Sequence, residues 1–366
     1  MIKREDAAKK TDAREATLTR RKLLLTAGAG VMATTVLAPP HSSAFAQSSD
    51  APNLEAARTE GPLVIWHGDQ ESDVVEYLKI FTRKTGIQTV EQRLLPGAAL
   101  PKLEAEYRTG TSDADVWDNS DTGIMEQLRL QNRLLRYVPK EIDAYGAEYR
   151  SDPPGFWTTY FINVGPMMYD PRFVSDDAAP KTWMDLLDPR WKRQIGFQNS
   201  SAGTSYAFWF VLKDLLPKDY WERLAAQKPR AYSSSTQIQQ DIERGDLKIG
   251  GRVSAFQIVK ALREKNPVKA VFPPEGTPAV NQIVGIIGNT KRPNAAKIYV
   301  DFLLSREGQQ IWNDLQGSYS ARTDVTIKNL PQLKSLKLLL PTDAKEYMSP
   351  VQRKEFVAIW NKMTGL

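Results

Sequence analysis

Short apolar runs broken by small polar loops recur along the chain, and helical spacing follows each loop. Leu63-Val64-Ile65-Trp66 predicts a buried strand that breaks at His67-Gly68-Asp69-Gln70. Ser72 as N-cap and Asp73 in the first turn then open a helix. Val74, Val75, Leu78 and Phe81 keep its period, and Gly86 stops it. Residues 89–94 predict the next strand, residues 100–109 an amphipathic helix ending at Gly110, and Asp115-Val116-Trp117 a third strand. That strand breaks at Asp118-Asn119-Ser120-Asp121, ahead of a helix over residues 123–131. Such alternation predicts right-handed crossovers and a parallel sheet. Ligands of open sheets lie beyond the carboxyl ends of the strands, which puts loops 67–71 and 119–122 on the ligand edge.

The layout recurs further along. Asp152-Pro153-Pro154-Gly155 precedes a strand over residues 161–169, and Ile195-Gly196-Phe197 runs into the small polar loop 198–205 and an apolar helix over 206–216. A helix over 236–244 leads to Ile249-Gly250-Gly251-Arg252-Val253-Ser254-Ala255-Phe256-Gln257, a short strand that runs into a helix ending near residue 265. Residues 268–272 and 280–287 predict two more strands, separated by Pro273-Pro274-Glu275-Gly276. Helices follow over 294–304 and 308–315, with another in the last fifteen or so residues. Two α/β units emerge, with the central one flanked by pieces of the first. A cleft between two lobes and hinged closure are the expectation.

The first residues change the reading of charge. Thr19-Arg20-Arg21-Lys22 precedes an uncharged apolar run over 23–37, and Ala44-Phe45-Ala46 precedes Gln47. This predicts a twin-arginine-like export signal over residues 1–46, cleaved near Ala46/Gln47, and a periplasmic product. The whole chain carries +6 and a pI near 9.2. Residues 1–46 hold eight of the 49 basic and four of the 43 acidic side chains, so without them the net charge is about +2. The electrostatic footprint of a nucleic-acid binder is then missing. The absence of cysteine excludes disulfides, thiolate metal sites and cysteine nucleophiles. The sequence has no G-x-S-x-G, H-E-x-x-H or G-x-G-x-x-G, so an exported hydrolase is the weaker alternative to a protein that is no enzyme.

Candidate binding residues lie in the strand-end loops. Ser200, Ser201, Gly203 and Thr204 open a helix, where free N–H groups and the positive dipole end suit an anion; simple N-capping is the other reading. No Gly-Lys-Ser/Thr completes a nucleotide loop. Ser120 and Asp121 form the matching loop, in which Asp121 either caps the next helix or faces an amine. His67, the one histidine beyond the export signal, and Gln70 offer hydrogen bonds. Arg252 meets an anion, makes a structural ion pair or lies exposed on an edge strand, and Ser254 shares its strand face. A small polar solute, anionic or zwitterionic, fits these types.

Several stretches resemble a known family: VIWHGDQESDVVEYLKIFTRKTGI, DADVWDNSDTG, WKRQIGFQNSSAGTS and AAKIYVDFLLSREGQQIW. They are similar to solute-binding proteins of bacterial ABC importers, nearest the ferric-iron-binding branch, which also contains binders of small organic solutes. The resemblance covers residues 61–325. It implies a two-lobed periplasmic-binding-protein fold, type II-like, with strand hinges. Lobe one would be residues 58–165 and 276–320, and lobe two 166–275 with the terminal segment 321–366. It also implies a monomer that hands its solute to an inner-membrane ABC permease. Iron binders of this branch hold the ion with two adjacent tyrosines, a histidine and a carboxylate. Those positions fall here on Phe256-Gln257, on Gln70, and on Ser120 or Asp121. Fe(III) wants anionic oxygens that phenylalanine and glutamine do not supply. The expectation is therefore an organic solute with no metal or cofactor, and ferric iron is the alternative within the family.

Overall fold

The computed structural model describes residues 51–365; the export signal read at residues 1–46 lies outside them. After a short helix α1 (Leu54–Thr59) come β1 (Leu63–His67), α2 (Glu71–Thr85), β2 (Thr89–Arg93), α3 (Pro96–Thr109), β3 (Val116–Asn119) and α4 (Thr122–Leu130). β1 pairs in parallel with both β2 and β3, as the alternation predicts. Two helix starts differ from the sequence reading. Gln70 caps α2, so Ser72 sits in its first turn. α3 begins at Pro96, ahead of its amphipathic stretch, because proline at the first helical position presets φ and lacks an N–H that would go unpaired there.

β4 (Leu134–Leu135) leads to β5 (Trp157–Val164) and β6 (Met167–Tyr169). Residues 161–169 read as one strand in sequence, but Gly165-Pro166 breaks it, and its halves join different sheets. Proline cannot donate to a ladder, so the strand cannot run on through it. Then come β7 (Ile195–Gln198), α5 (Gly203–Leu212), α6 (Tyr220–Ala226), β8 (Arg230–Tyr232), α7 (Ser235–Arg244), β9 (Ile249–Gly250), α8 (Ala255–Arg263) and β10 (Lys269–Val271). β11 (Thr277–Ile287), α9 (Pro293–Leu304), α10 (Arg306–Gln316), β12 (Tyr319–Ser320), β13 (Leu338–Leu339), α11 (Ala344–Tyr347) and α12 (Pro350–Thr364) complete the order.

Two sheets result. The first runs β12-β5-β11-β3-β1-β2, with β4 and β13 also on β11; the second runs β10-β6-β9-β7-β8. The first is mixed rather than parallel, because β11 returns from the second sheet antiparallel to both β3 and β5. Each sheet has its own core. Leu63, Ile65, Phe81, Val116, Ile162 and Leu303 lie in the first, and Trp183, Phe197, Phe208, Trp209 and Trp360 in the second. The chain crosses between them at Gly165-Pro166 and again at residues 272–276. Beyond β12 it stays with the first core through Ile327, Leu336 and Leu340. It joins the second through Tyr347, Phe356 and Trp360.

Candidate functional site

In the second sheet β7 runs parallel to β8 and β9, so the carboxyl ends of all three deliver the chain to one edge. There α7, α5 and α8 begin. The first N–H groups of a helix have no intrahelical partner, and its N-terminus carries partial positive charge. α5 is capped by Ala202 with no side-chain bond, and a Cβ added to Gly203 would meet nothing within 4 Å. α8 is capped by Ser254, again with no side-chain cap bond. Thr204 Oγ1 and Ser235 Oγ both donate to Gln198 Oε1, at 3.1 and 3.2 Å. Gln257 Nε2 donates to Thr236 Oγ1 at 3.1 Å. Side chains from all three helix starts and from the end of β7 thus form a connected polar edge.

Arg252 lies beside this edge and is 3% exposed. Its Nη1 donates to Ser254 Oγ at 3.1 Å and its Nη2 to Asn163 Oδ1 at 3.4 Å, while Nε has no partner. Among the described residues no carboxylate lies within ion-pair reach of it. Burial lowers its pKa to about 10, so it keeps its charge at neutral pH. A buried guanidinium on neutral oxygens alone, held at the start of α8, is a positive charge without a counter-charge among the described residues.

The first sheet's edge is acidic. Phe161 pairs with Gln282 and Thr159 with Ile283, so Tyr160 is the extra residue of a β-bulge. Its hydroxyl donates to Asp69 Oδ2 at 2.6 Å. Asp118 Oδ1 accepts from Gln282 Nε2 at 3.1 Å and Gly68 N–H at 3.3 Å. Burial pushes the Asp69 carboxyl up to about 7. Burial, with the Asp69 charge adding to it, drives the Asp118 carboxyl well above the usual carboxylate range. Asp121 caps α4 by accepting from Gly123 and Ile124 N–H at 3.0 and 3.3 Å. With Ser120, Asn281 and Tyr347 it lines a cavity of roughly 30 Å³.

The two edges meet on both flanks. Lys260 of α8 pairs with Asp73 of α2 at 2.9 Å, and Arg263 donates to the carbonyls of Asn313 and Asp314 in α10. Ala255 and Val259 of α8 pack in the first core, while Ile258 and Ala261 pack against Met168 of β6. On the other flank the Arg353 guanidinium stacks on the Tyr206 ring at 3.7 Å and approaches Asp121 Oδ2 at 4.0 Å.

Of the residues singled out in sequence, Gly203, Thr204, Arg252, Ser254 and Gln257 gather around one edge, and Ser120 and Asp121 lie on the other. His67 does not join them. It is fully buried, and its Nε2 lies 2.6 Å from Glu91 Oε2 across the β1–β2 pair. Gln70 is exposed, with its Oε1 3.5 Å from Lys260 Nζ. Ser200 donates to Asn361 Oδ1 of α12 at 2.7 Å, and Ser201 to Asn199 Oδ1 at 2.5 Å. Phe256 is half-buried in the first turn of α8. Sequence reasoning passed over Asn163, Lys260 and Arg353. No local signal marks them, since each acts through a partner distant in the chain. Among the described residues no three or more His, Cys, Asp or Glu cluster so as to hold a metal ion.

Comparison with known proteins fits this geometry. A family model described as bacterial extracellular solute-binding protein matches residues 119–343. A Salmonella paratyphi A protein, provisionally named a 2-aminoethylphosphonate-binding periplasmic protein, is 23% identical over 67% of this chain and 73% of its own. Iron-bound HitA from Pseudomonas aeruginosa superposes with a TM-score of 0.68 at 19% identity, covering 84% of this chain and 100% of that one. The periplasmic binding protein AfuA from Actinobacillus pleuropneumoniae, with fructose-6-phosphate bound, gives 0.66 at 23%, covering 84% and 99%.

Proposed function

The chain belongs to the bacterial extracellular solute-binding proteins, and from that premise we propose that it is the periplasmic receptor of an ABC importer for a small anionic or zwitterionic organic solute. The solute sits between the two sheets' edges and is handed, unaltered, to an inner-membrane permease. Its acidic group lies against the starts of α5, α7 and α8, with Gly203, Thr204, Ser254 and Gln257 as hydrogen-bonding groups. Ser200 and Ser201 shape the loop before α5. Any amine on the solute faces the opposite edge, toward Ser120 and Asp121. Closure turns about the crossings at Gly165-Pro166 and residues 272–276, with α8 and Arg353 carrying the contacts between lobes.

The observation that carries this reading is Arg252: a buried cation with no carboxylate in ion-pair reach among the described residues, bonded to Ser254, the N-cap of α8. An anion offsets that charge, whereas a metal ion adds to it. Relatives named for a phosphonate and bound to a sugar phosphate support the anionic class. The test is a thermal-shift screen of the purified protein against phosphonates, sugar phosphates, carboxylates, amino acids, polyamines and Fe(III). A solute that binds only the folded state raises Tm with the logarithm of its excess over Kd. Stabilisation by a phosphorylated, phosphonate or carboxylate compound without turnover is expected. Stabilisation by Fe(III) or polyamines alone would overturn the reading, and turnover of a hit would return the protein to the enzymes.

A further inference from the structure

We infer that Gly165, in the crossing between the two sheets, is a positioning residue for Arg252: it leaves the space in which that side chain lies, and Asn163 fixes its far end. This rests on the reading of Arg252 as the anion's counter-charge. A Cβ at residue 165 would stand 2.3 Å from Arg252 Nε and 3.0 Å from both Cγ and Cζ. The guanidinium therefore lies flat across the glycine. Asn163, two residues earlier, accepts from Nη2, and Ser254 accepts from Nη1. The backbone is tied at the same place: Gly165 N–H donates to Pro278 O at 2.9 Å, and Val253 N–H to Pro166 O at 2.9 Å. The arginine and its seat are thus held together on both sides.

Gly165 is not among the glycines with positive φ, so alanine meets no left-handed backbone there. The three heavy atoms nearest its added methyl all belong to Arg252. Because Arg252 is buried, its side chain cannot slide aside within the same pocket and must leave its seat. Three polar atoms then lose their arrangement together, and the anion loses a charge-assisted partner.

The experiment compares wild type with Gly165→Ala, Asn163→Ala, Arg252→Ala and Gly165→Ala/Arg252→Ala. The first arm needs no solute. The folded protein is treated with phenylglyoxal, and modification of residue 252 is read by peptide mass spectrometry. In wild type Arg252 is expected to be protected, as is buried Arg322, whose side chain is 3% exposed. In Gly165→Ala it is expected to react like exposed Arg83, whose side chain is 64% exposed, while Arg322 stays protected. Protection of residue 252 in Gly165→Ala as complete as in wild type would overturn the positioning role. Should Arg322 also react, the fold has loosened, and Asn163→Ala decides the matter by the same comparison.

The second arm measures inorganic phosphate binding by calorimetry. Gly165→Ala is expected to weaken phosphate about tenfold or more, and the double variant to bind no more weakly than Arg252→Ala. Additive losses in the double variant would also overturn the role. If Arg252→Ala leaves phosphate affinity unchanged, the anion reading fails, and the labelling arm still decides whether Gly165 seats the arginine.

Discussion

Replacing Asp118 by asparagine removes one member of a buried carboxylate pair while keeping the oxygen that accepts from Gly68 and Gln282. Burial raises both carboxyls above their ordinary range, Asp69 from 3.8 to about 7 and Asp118 well above 3.8. An acid whose folded pKa exceeds its unfolded value is bound to its proton more fully in the folded state. Its contribution to stability is complete below the unfolded pKa and is lost as pH rises through the folded one. For Asp69 that window runs from about pH 4 to about pH 7. A shift of about three units, at about 1.4 kcal/mol each, bounds the Asp69 loss near 4 kcal/mol, and Asp118, raised by its own burial, adds to it. Urea unfolding at about pH 5 and about pH 8 should therefore show Asp118→Asn, in which Asp69 stays buried, losing about 2–3 kcal/mol, and wild type losing more, because Asp118 adds its own share. A variant that loses as much stability as wild type between the two pH values would refute the reading of Asp118 as a second proton-retaining acid on this edge.

Two further outcomes follow from the contacts between lobes and from the helix start. Lys260→Ala removes a partly buried ion pair with Asp73 of α2, so the arrangement that holds this contact should lose about 0.5–1 kcal/mol and its population against forms without it should fall about two- to fivefold. Small-angle scattering reads this as a larger mean radius of gyration, and an unchanged radius would show that α8 packing alone holds the lobes. Asp121→Ala deletes the cap of α4 and should lower stability by about 1 kcal/mol, measured as a fall in Tm. Asp121→Asn, which keeps the acceptor, should recover most of it.

Much of the fold was legible in the sequence because strands buried on both faces write continuous apolar runs and their loops are rich in small polar residues. β1, α2 and β3 followed directly from that pattern. The break at Gly165-Pro166 was harder, since apolar residues continue on both sides and only the missing proline N–H ends the ladder. The mixed character of the first sheet was hidden as well. Its antiparallel strand β11 returns to the sheet only after the whole of the second one. At the site, the loop before α5 was legible as a helix start, but not that Ser200 would be taken by Asn361, 161 residues away. His67 looked available on a strand end; its partner Glu91 is one strand over, where only register reveals it. Tyr160 reaches Asp69 through a bulge, which no residue type announces. Arg252 stood out in sequence, yet its surroundings did not: the glycine beneath it and Asn163 belong to a segment almost ninety residues earlier.

The most direct measurement of the central claim is calorimetric titration of the stabilising solute into wild type and Arg252→Ala. If the buried, carboxylate-free guanidinium is the solute's counter-charge, the variant should bind at least about 2 kcal/mol more weakly, roughly 30-fold, and remain folded. Equal affinity in wild type and Arg252→Ala would contradict the account.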